Sequence, residues 1–291
     1  MISFIVVAYN SERNIRACLN HLLLVNGLRH EIIVMDNNSA DNTRRIIKDE
    51  FPAIRLIESE ENRGFSHGVN EAAKRARGDL IFLVNPDTEM VTHELNGFLG
   101  MFPTNNVGVM GPKVVNPRDY SRQFSARSFP TLKAAVFNRD SILTKLIPNN
   151  RFSKGYLNPL INEDRLQTVD WVSGCAMIIR KDVFDLVGGF DEKFFVFYED
   201  VDFCYRVKRA GYQVIYNPEI VVSHRIGISK TVPTAKINYE RHRGMWIYYT
   251  KHFRRNGFLS VMVVLGIVLR FAMSSPRVLL KWIKDLIVKS G

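Results

Sequence analysis

The chain has 291 residues, of which 46% are hydrophobic and 24% charged. That balance suits one large globular domain, or a domain with an appendage, and excludes a disordered or fibrous chain. The net charge of +11 is uneven: residues 241–291 hold ten Lys and Arg against the single acid Asp285, which leaves +2 for everything before them.

The first nine residues are apolar and lack the basic flank and length of a signal peptide, so they are expected to form a buried strand in a protein that stays in the cytosol. Residues 2–8, 31–35, 54–58 and 80–84 are short, β-branched runs bounded by polar residues, as strands are. Between them, residues 11–25 (with Ser11 as N-cap), 42–51 and 65–76 carry helical patterns. Strand alternating with helix predicts an α/β fold, with a mostly parallel central sheet covered on both faces. Residues 112–170 mix Pro, Asn, Ser and Arg with aromatics and read as long loops with a few short elements. A second ordered block follows: a strand over 171–180, a short helix over 181–187, a Gly188-Gly189 turn, an acidic stretch leading into a helix to Ala210, and a strand over 212–223 ending at His224. Cys18, Cys175 and Cys204 are far apart in sequence, without a Cys-x-x-Cys pair, and read as reduced buried thiols.

Each early strand runs into polar residues: Tyr9-Asn10, Asp36-Asn37-Asn38-Ser39, Asn62-Arg63-Gly64 and Asn85-Pro86-Asp87. In open α/β sheets ligands bind outside the carboxyl ends of the strands, so these clusters are expected to converge on one crevice. Asp36 suits either hydrogen bonds from a pyrimidine N–H or a turn. Asp87 suits either a turn or an oxygen ligand for Mg2+ or Mn2+, cations that keep few protein ligands when phosphates supply the rest. Glu199-Asp200-Val201-Asp202 puts three acids beside the aromatic run at 194–198, which favours a raised pKa in a general base and equally an acidic helix start.

Five segments in order, Phe4 to Asn10, Val34 to Ser39, Asn62 to Phe65, Leu83 to Asp87 and Glu199 to Asp202, make the chain resemble a family 2 glycosyltransferase of the GT-A fold, in its rhamnosyltransferase-like branch. The resemblance covers about residues 2–230 and implies an inverting transfer of one sugar from a nucleotide diphosphate, with dTDP-rhamnose favoured. It implies that Tyr9 and Asp36 hold the base and ribose, and that Asn62, Arg63 and Asn70 line the donor pocket. Asp87 and His224 would bind the metal and Asp200 would be the general base. Trp171 to Cys175 would line the donor-sugar and acceptor region. Asn85 stands where the family often has the first Asp of Asp-x-Asp, which removes one charged ligand from the metal motif.

Three rival readings are weaker. A nicotinamide enzyme needs Gly-x-Gly-x-x-Gly where this chain has Tyr9-Asn10-Ser11-Glu12. A processive synthase needs several spans and Gln-x-x-Arg-Trp, from which Arg241-His242-Arg243-Gly244-Met245-Trp246 departs. A nucleic-acid-binding module fits poorly because the basic tail interleaves charge with long aliphatic runs. The domains expected are a catalytic one over 1–230 and a basic, helical, membrane-associating tail over 231–291. In that tail, residues 258–269 are too short to span a bilayer. Residues 277–289 form an amphipathic pattern suited to an anionic surface at the cytoplasmic face of the membrane, where a lipid-linked saccharide acceptor would lie, or to a second subunit in a homo-oligomer.

Overall fold

The computed structural model describes residues 1–100, 102, 106–130, 162, 164–225, 234–253 and 257–274. The chain divides into two compact units: Met1–Phe129, Asn158–Phe195 and Glu199–Ser229 form one, and Pro130–Leu157, Val196–Tyr198 and Lys230–Gly291 the other.

The first unit opens with β1 (Ile2–Ala8), α1 (Ile15–Leu23), β2 (His30–Asp36), α2 (Thr43–Glu50), β3 (Arg55–Glu58), α3 (Phe65–Ala73) and β4 (Leu80–Val84). Every residue of β1 is buried, as its unbroken apolar run demands of a strand covered on both faces. It pairs in parallel with β2, from Ile2 against His30 to Ala8 against Asp36, and with β4, from Ile2 against Leu80 to Val6 against Val84. The period-two alternation splits its side chains between two cores. Phe4 and Val6 pack with Leu19 and Ile47 of α1 and α2, whereas Ile5 and Val7 pack with Val69 of α3 and with residues of the later helices. Helices therefore cover both faces of the sheet.

Beyond β4 come β5 (Thr88–Met90), α4 (Asn96–Leu99), β6 (Val107–Val115), β7 (Arg122–Gln123), β8 (Ala126–Arg127), β9 (Gln167–Thr168), β10 (Trp171–Val172), β11 (Ala176–Arg180), α5 (Lys181–Leu186), α6 (Glu199–Arg209) and β12 (Gln213–His224). The sheet order is β3-β2-β1-β4-β11-β6-β12-β5, with β11 antiparallel to both its neighbours and β12 parallel to β6. Strand β5 closes the far edge antiparallel to β12 and sets Thr88 opposite His224.

Some sequence expectations shift here. Helix α1 starts at Ile15 rather than Ser11, because the Ser11 hydroxyl is bonded back to Tyr9 instead of capping the helix. The expected strand over 171–180 is two strands in different sheets, broken at Ser173, Gly174 and Cys175. The described part of residues 112–170 holds the end of β6 and the two-residue strands β7, β8 and β9, in keeping with loops and a few short elements.

The second unit contains α7 (Thr234–His252) and α8 (Gly257–Ser274). Helix α7 meets the tripeptide Val196–Tyr198, where Phe197 and Tyr198 both take left-handed backbone angles, φ 70° and 71°. Gly244 gives the room: a Cβ there would sit 2.7 Å from the Phe197 carbonyl oxygen, while Arg241 lies 5.0 Å over the Phe197 ring. Helix α8 exposes Val261, Met262, Leu265, Val268 and Leu269 by 53–60% each. Among the described residues no helix is long and apolar enough to cross a membrane. The expected amphipathic helix over 277–289 lies outside the described residues.

Candidate active site

The parallel strands β1, β2 and β4 deliver their polar ends to one edge of the sheet. Asp36 closes β2 and is fully buried. Its Oδ1 accepts from the Ser39 N–H at 2.9 Å and pairs with the Arg44 guanidinium, while Oδ2 is buried with no partner. A buried, unpaired carboxylate oxygen is costly unless a ligand donates to it. Asn37, next in the chain, donates to the Gly64 carbonyl at 2.8 Å, and its own Oδ1 is also buried and unpartnered. Tyr9 and Asn10 lie half-buried at the end of β1, with Asn10 left-handed at φ 48° and its side chain accepting from the Ala40 N–H at 2.8 Å. Asn38 is likewise left-handed, at φ 65°. Such conformations are sparsely populated, suit Asn among non-glycine residues, and let each strand turn sharply at its end.

The turn after β3 is fastened to the segment that precedes α6. Asn62 accepts from the Gly64 N–H at 3.0 Å. Gly64 has φ 94°, and a Cβ there would fall 2.6 Å from the Phe195 carbonyl oxygen, so only glycine fits. Phe65 N–H donates to that same oxygen at 2.7 Å. One turn on, Asn70 donates to the Phe190 carbonyl at 2.9 Å and accepts from the Phe190 N–H at 2.9 Å, which spends both ends of its amide. Glu192 takes a second Asn70 hydrogen bond at 3.0 Å and meets His67 Nδ1 at 2.9 Å, with Arg63 at 3.8 Å. The structure thus puts Asn70 in a clasp between α3 and the Phe190–Glu192 segment, and leaves Arg63 half-exposed beside it.

Asp87, just past β4, meets His224 at the end of β12, with Oδ1 and Nε2 3.3 Å apart and both side chains largely covered. His224 Nδ1 lies 3.0 Å from Gln123 Oε1. The amide assignment follows from the other end of the same side chain, where Gln123 Nε2 donates to the His224 carbonyl. Nδ1 therefore carries a proton and leaves Nε2 facing the Asp87 oxygen, where it would donate to the carboxylate or, without its proton, share a cation with it. One oxygen and one nitrogen donor fit a divalent ion whose remaining ligands are phosphate oxygens. Among the described residues no cluster of three or more His, Cys, Asp or Glu could hold a metal alone.

Three acids begin α6, and their surroundings separate them. Asp202 is fully buried and paired with Arg206 at 2.8 Å. Glu199 is buried with Oε2 unpartnered, and burial together with the Asp200 charge pushes its carboxyl well above the usual range. Asp200 is half-buried. Its Oδ2 accepts from Gly174 N–H at 3.0 Å and its Oδ1 from Val201 N–H at 2.8 Å. Burial raises its pKa, and those two N–H groups and the Arg127 charge hold part of that rise back.

The residue after Gly174 ties the two sides together. The Cys175 carbonyl accepts from Asn85 N–H at 2.9 Å and from the Thr88 hydroxyl at 3.3 Å. The Cys175 thiol is pushed up to about 12 by burial, with the Asp87 and Asp200 charges adding to it. Consecutive residues thus hold the Asn85-Pro86-Asp87 turn and Asp200. Trp171, half-buried on β10, donates its indole N–H to Ser128 at 2.9 Å. Sequence reasoning missed Arg44, Gln123, Arg127 and the His67–Glu192 pair. No spacing signals them, because each acts on a group from another element of the chain. A surface hollow lined by Arg13, Arg16, Arg45, Asp49 and Glu50 takes in none of the predicted site residues.

A mostly parallel α/β sheet with a carboxylate buried at the end of β2, an Asp–His pair past β4 and an acid-led helix defines the GT-A class of fold. The model of glycosyl transferase family 2 matches residues 3–187, and the chain belongs to that family. It is similar to N-acetylglucosaminyl-diphospho-decaprenol L-rhamnosyltransferase of Mycobacterium tuberculosis, at 26% identity over 84% of this chain and 82% of that protein. It is also similar to rhamnosyltransferase WbbL of Escherichia coli K12, at 26% identity over 77% of this chain and 83% of that one. Among solved structures, the mannosyltransferase PcManGT of Pyrobaculum calidifontis, in complex with GDP-Man and Mn2+, matches with a TM-score of 0.60 at 17% identity, covering 94% of this chain and 72% of its own. TarS of S. aureus with UDP-GlcNAc matches at 0.54 and 18%, covering 94% of this chain and 72% of its own. At such identity the structural likeness establishes the fold alone.

Proposed function

We propose that this glycosyltransferase is inverting and moves rhamnose from dTDP-rhamnose to a hydroxyl of a lipid-linked saccharide. The observation that carries this reading is the Gly174-Cys175 pair, which holds Asp200 on one side and the Asn85-Pro86-Asp87 turn on the other. A single displacement needs a base for the incoming hydroxyl and charge neutralisation for the outgoing diphosphate on opposite sides of one carbon. Asp200 takes the acceptor proton as its oxygen bonds to the anomeric carbon, and the carbon–oxygen bond to the diphosphate breaks. Asp36 Oδ2 receives the single ring N–H of the pyrimidine, with Asn37 and Tyr9 beside it, and Asn62, Arg63, Asn85 and Trp171 border the donor. Asp87 and His224 would hold Mg2+ or Mn2+, which supplies positive charge to the departing diphosphate. The rhamnosyl donor and the lipid diphosphate acceptor are supported by the named activity of the M. tuberculosis relative.

The tail over 231–291 is read as the surface that brings the enzyme to an anionic membrane. The exposed aliphatic side chains of α8 and the tail's positive charge support that reading. The test is a melting-temperature panel of nucleotide sugars with Mg2+, Mn2+ or EDTA, followed by transfer to a prenyl-diphospho-N-acetylglucosamine. dTDP-rhamnose with metal should raise the melting temperature most, since a ligand of the native state stabilises it. A shift with UDP sugars alone would change the donor, and full turnover in excess EDTA would remove the metal. Flotation with anionic vesicles tests the tail: a full-length protein that stays behind at low salt points to a subunit contact instead.

A further inference from the structure

We infer that Arg127, flanked by Phe124 and Trp171, is the subsite that grips the phosphate of a glycosyl diphosphate acceptor beside Asp200. The inference rests on the proposed transfer to a lipid-linked saccharide and names the part of the site that would recognise it.

The argument begins with β8 and β10, a two-residue antiparallel ribbon that pairs Arg127 with Trp171 and Ala126 with Val172. Residues directly opposite in such a pair share a face. Ala126 and Val172 are buried in the core, so Arg127 and Trp171 stand on the outer face. The ribbon leads to the base within two residues: Ser173 N–H donates to the Ser125 carbonyl at 2.7 Å, and Gly174 N–H donates to Asp200. Arg127 is one of the charges that Asp200 feels.

Its guanidinium lies 5.9 Å from the Trp171 ring centre and 6.0 Å from that of Phe124. The indole is itself held by its hydrogen bond to Ser128. Arginine resting against aromatic rings loses less freedom when it binds, and its planar fork matches phosphate. Two other cations share this surface: Lys208 pairs with Asp170 at 2.6 Å, and Arg122 lies 5.2 Å from the Phe124 ring centre. Among the described residues no hydrogen bond or ion pair engages the Arg127 side chain. Phe124 is 47% exposed beside Arg122, and the half-buried Trp171 offers a second aromatic surface suited to the apolar face of a sugar ring. Two aromatic rings would be enough for a sugar ring alone. The charge calls for an anion on the acceptor, and the Asp87–His224 side is the place for the donor's own diphosphate.

The experiment compares acceptor binding by calorimetry for the full chain and its Arg127→Ala and Arg127→Lys variants. The probes are farnesyl diphospho-N-acetylglucosamine, octyl N-acetylglucosaminide and octyl glucuronide. The wild type should bind the diphosphate at least tenfold more tightly than the neutral glycoside. Arg127→Ala should erase most of that preference, and Arg127→Lys should keep part of it, while the donor-induced melting shift persists in both. Equal wild-type affinity for the diphosphate and neutral probes overturns the subsite, as does preference for the glucuronide, which would make the anion a carboxylate. So does an Arg127→Ala enzyme that keeps its preference but shows an upward-shifted pH profile of kcat on both acceptors, since Arg127 would then serve only Asp200. A wild type that binds dTDP-rhamnose but none of the three probes defeats the proposed acceptor itself, which separates that failure from this one.

Discussion

On the donor side, Asp36, Asn37 and the Asn62 to Gly64 turn sit within a few residues of the strands that carry them, and their partners are largely local. Ser39 and Arg44 lie three and eight residues beyond Asp36. On the acceptor side the fixing contact is distant: Asp200 accepts from its neighbour Val201 but also from an N–H 26 residues earlier. The first half rests on a paired β1, β2 and β4 with the Gly64 turn held against Phe195, whereas the second needs β10 and β11 to close against them. Damage on the donor side should therefore appear as lost nucleotide binding. Damage on the acceptor side should appear as lost turnover, with the nucleotide still bound.

The sharpest way to break that division is Asp200→Asn, which keeps shape but removes the proton acceptor. Its kcat should fall roughly a hundredfold to ten-thousandfold, as for loss of a general base. The donor-induced melting shift should survive. Near-normal turnover in this variant, combined with a dead Glu199→Gln, would move the base one residue earlier.

Asp87→Ala and His224→Ala should instead remove the metal-dependent part of donor binding. Gln123→Leu, which frees the imidazole without touching the ligand atoms, should weaken metal-dependent donor affinity by about tenfold. An unchanged metal titration for Gln123→Leu would deny the tautomer argument.

Asn70 tests the seam between the halves. Because its amide is spent on the Phe190 backbone, Asn70→Ala should cost about 1–3 kcal/mol of stability in urea titrations by orphaning buried groups. Nucleotide affinity should change little beside that loss. A variant of full stability with poor donor binding would return Asn70 to the donor pocket.

The smallest expected effect is on stability against pH. Burial and Asp200 raise the Glu199 pKa above its unfolded value, so the native state holds the proton more tightly. Its contribution is most favourable below the unfolded carboxylate range and is lost as pH rises toward the folded pKa. Glu199→Gln should therefore raise the melting temperature at neutral pH by roughly 2–4 °C, if about 1 kcal/mol is relieved. The gain should fade in acid. A variant that melts lower than wild type at neutral pH would mean that the Glu199 carboxylate is needed ionised.

The α/β order, the strands β1 to β4 and the polar residues at their ends were legible in the chain itself. Unbroken β-branched runs such as residues 2–8 can only be buried strands, and a polar cluster after each must lie at the sheet's edge. The five ordered motifs carried the family for the same reason, since each belongs to a single strand end or helix start. What only the tertiary structure decided was which groups meet. Three acids in four residues look alike in sequence. Yet Asp202 is neutralised by Arg206, Glu199 is shut away, and Asp200 is half-buried and held by Gly174. Trp171 and Cys175 read as one strand until the turn between them split the sheets. Hydrogen bonds from backbone atoms leave no trace in residue identity, and pairings across a hundred residues follow from chain closure rather than from local pattern.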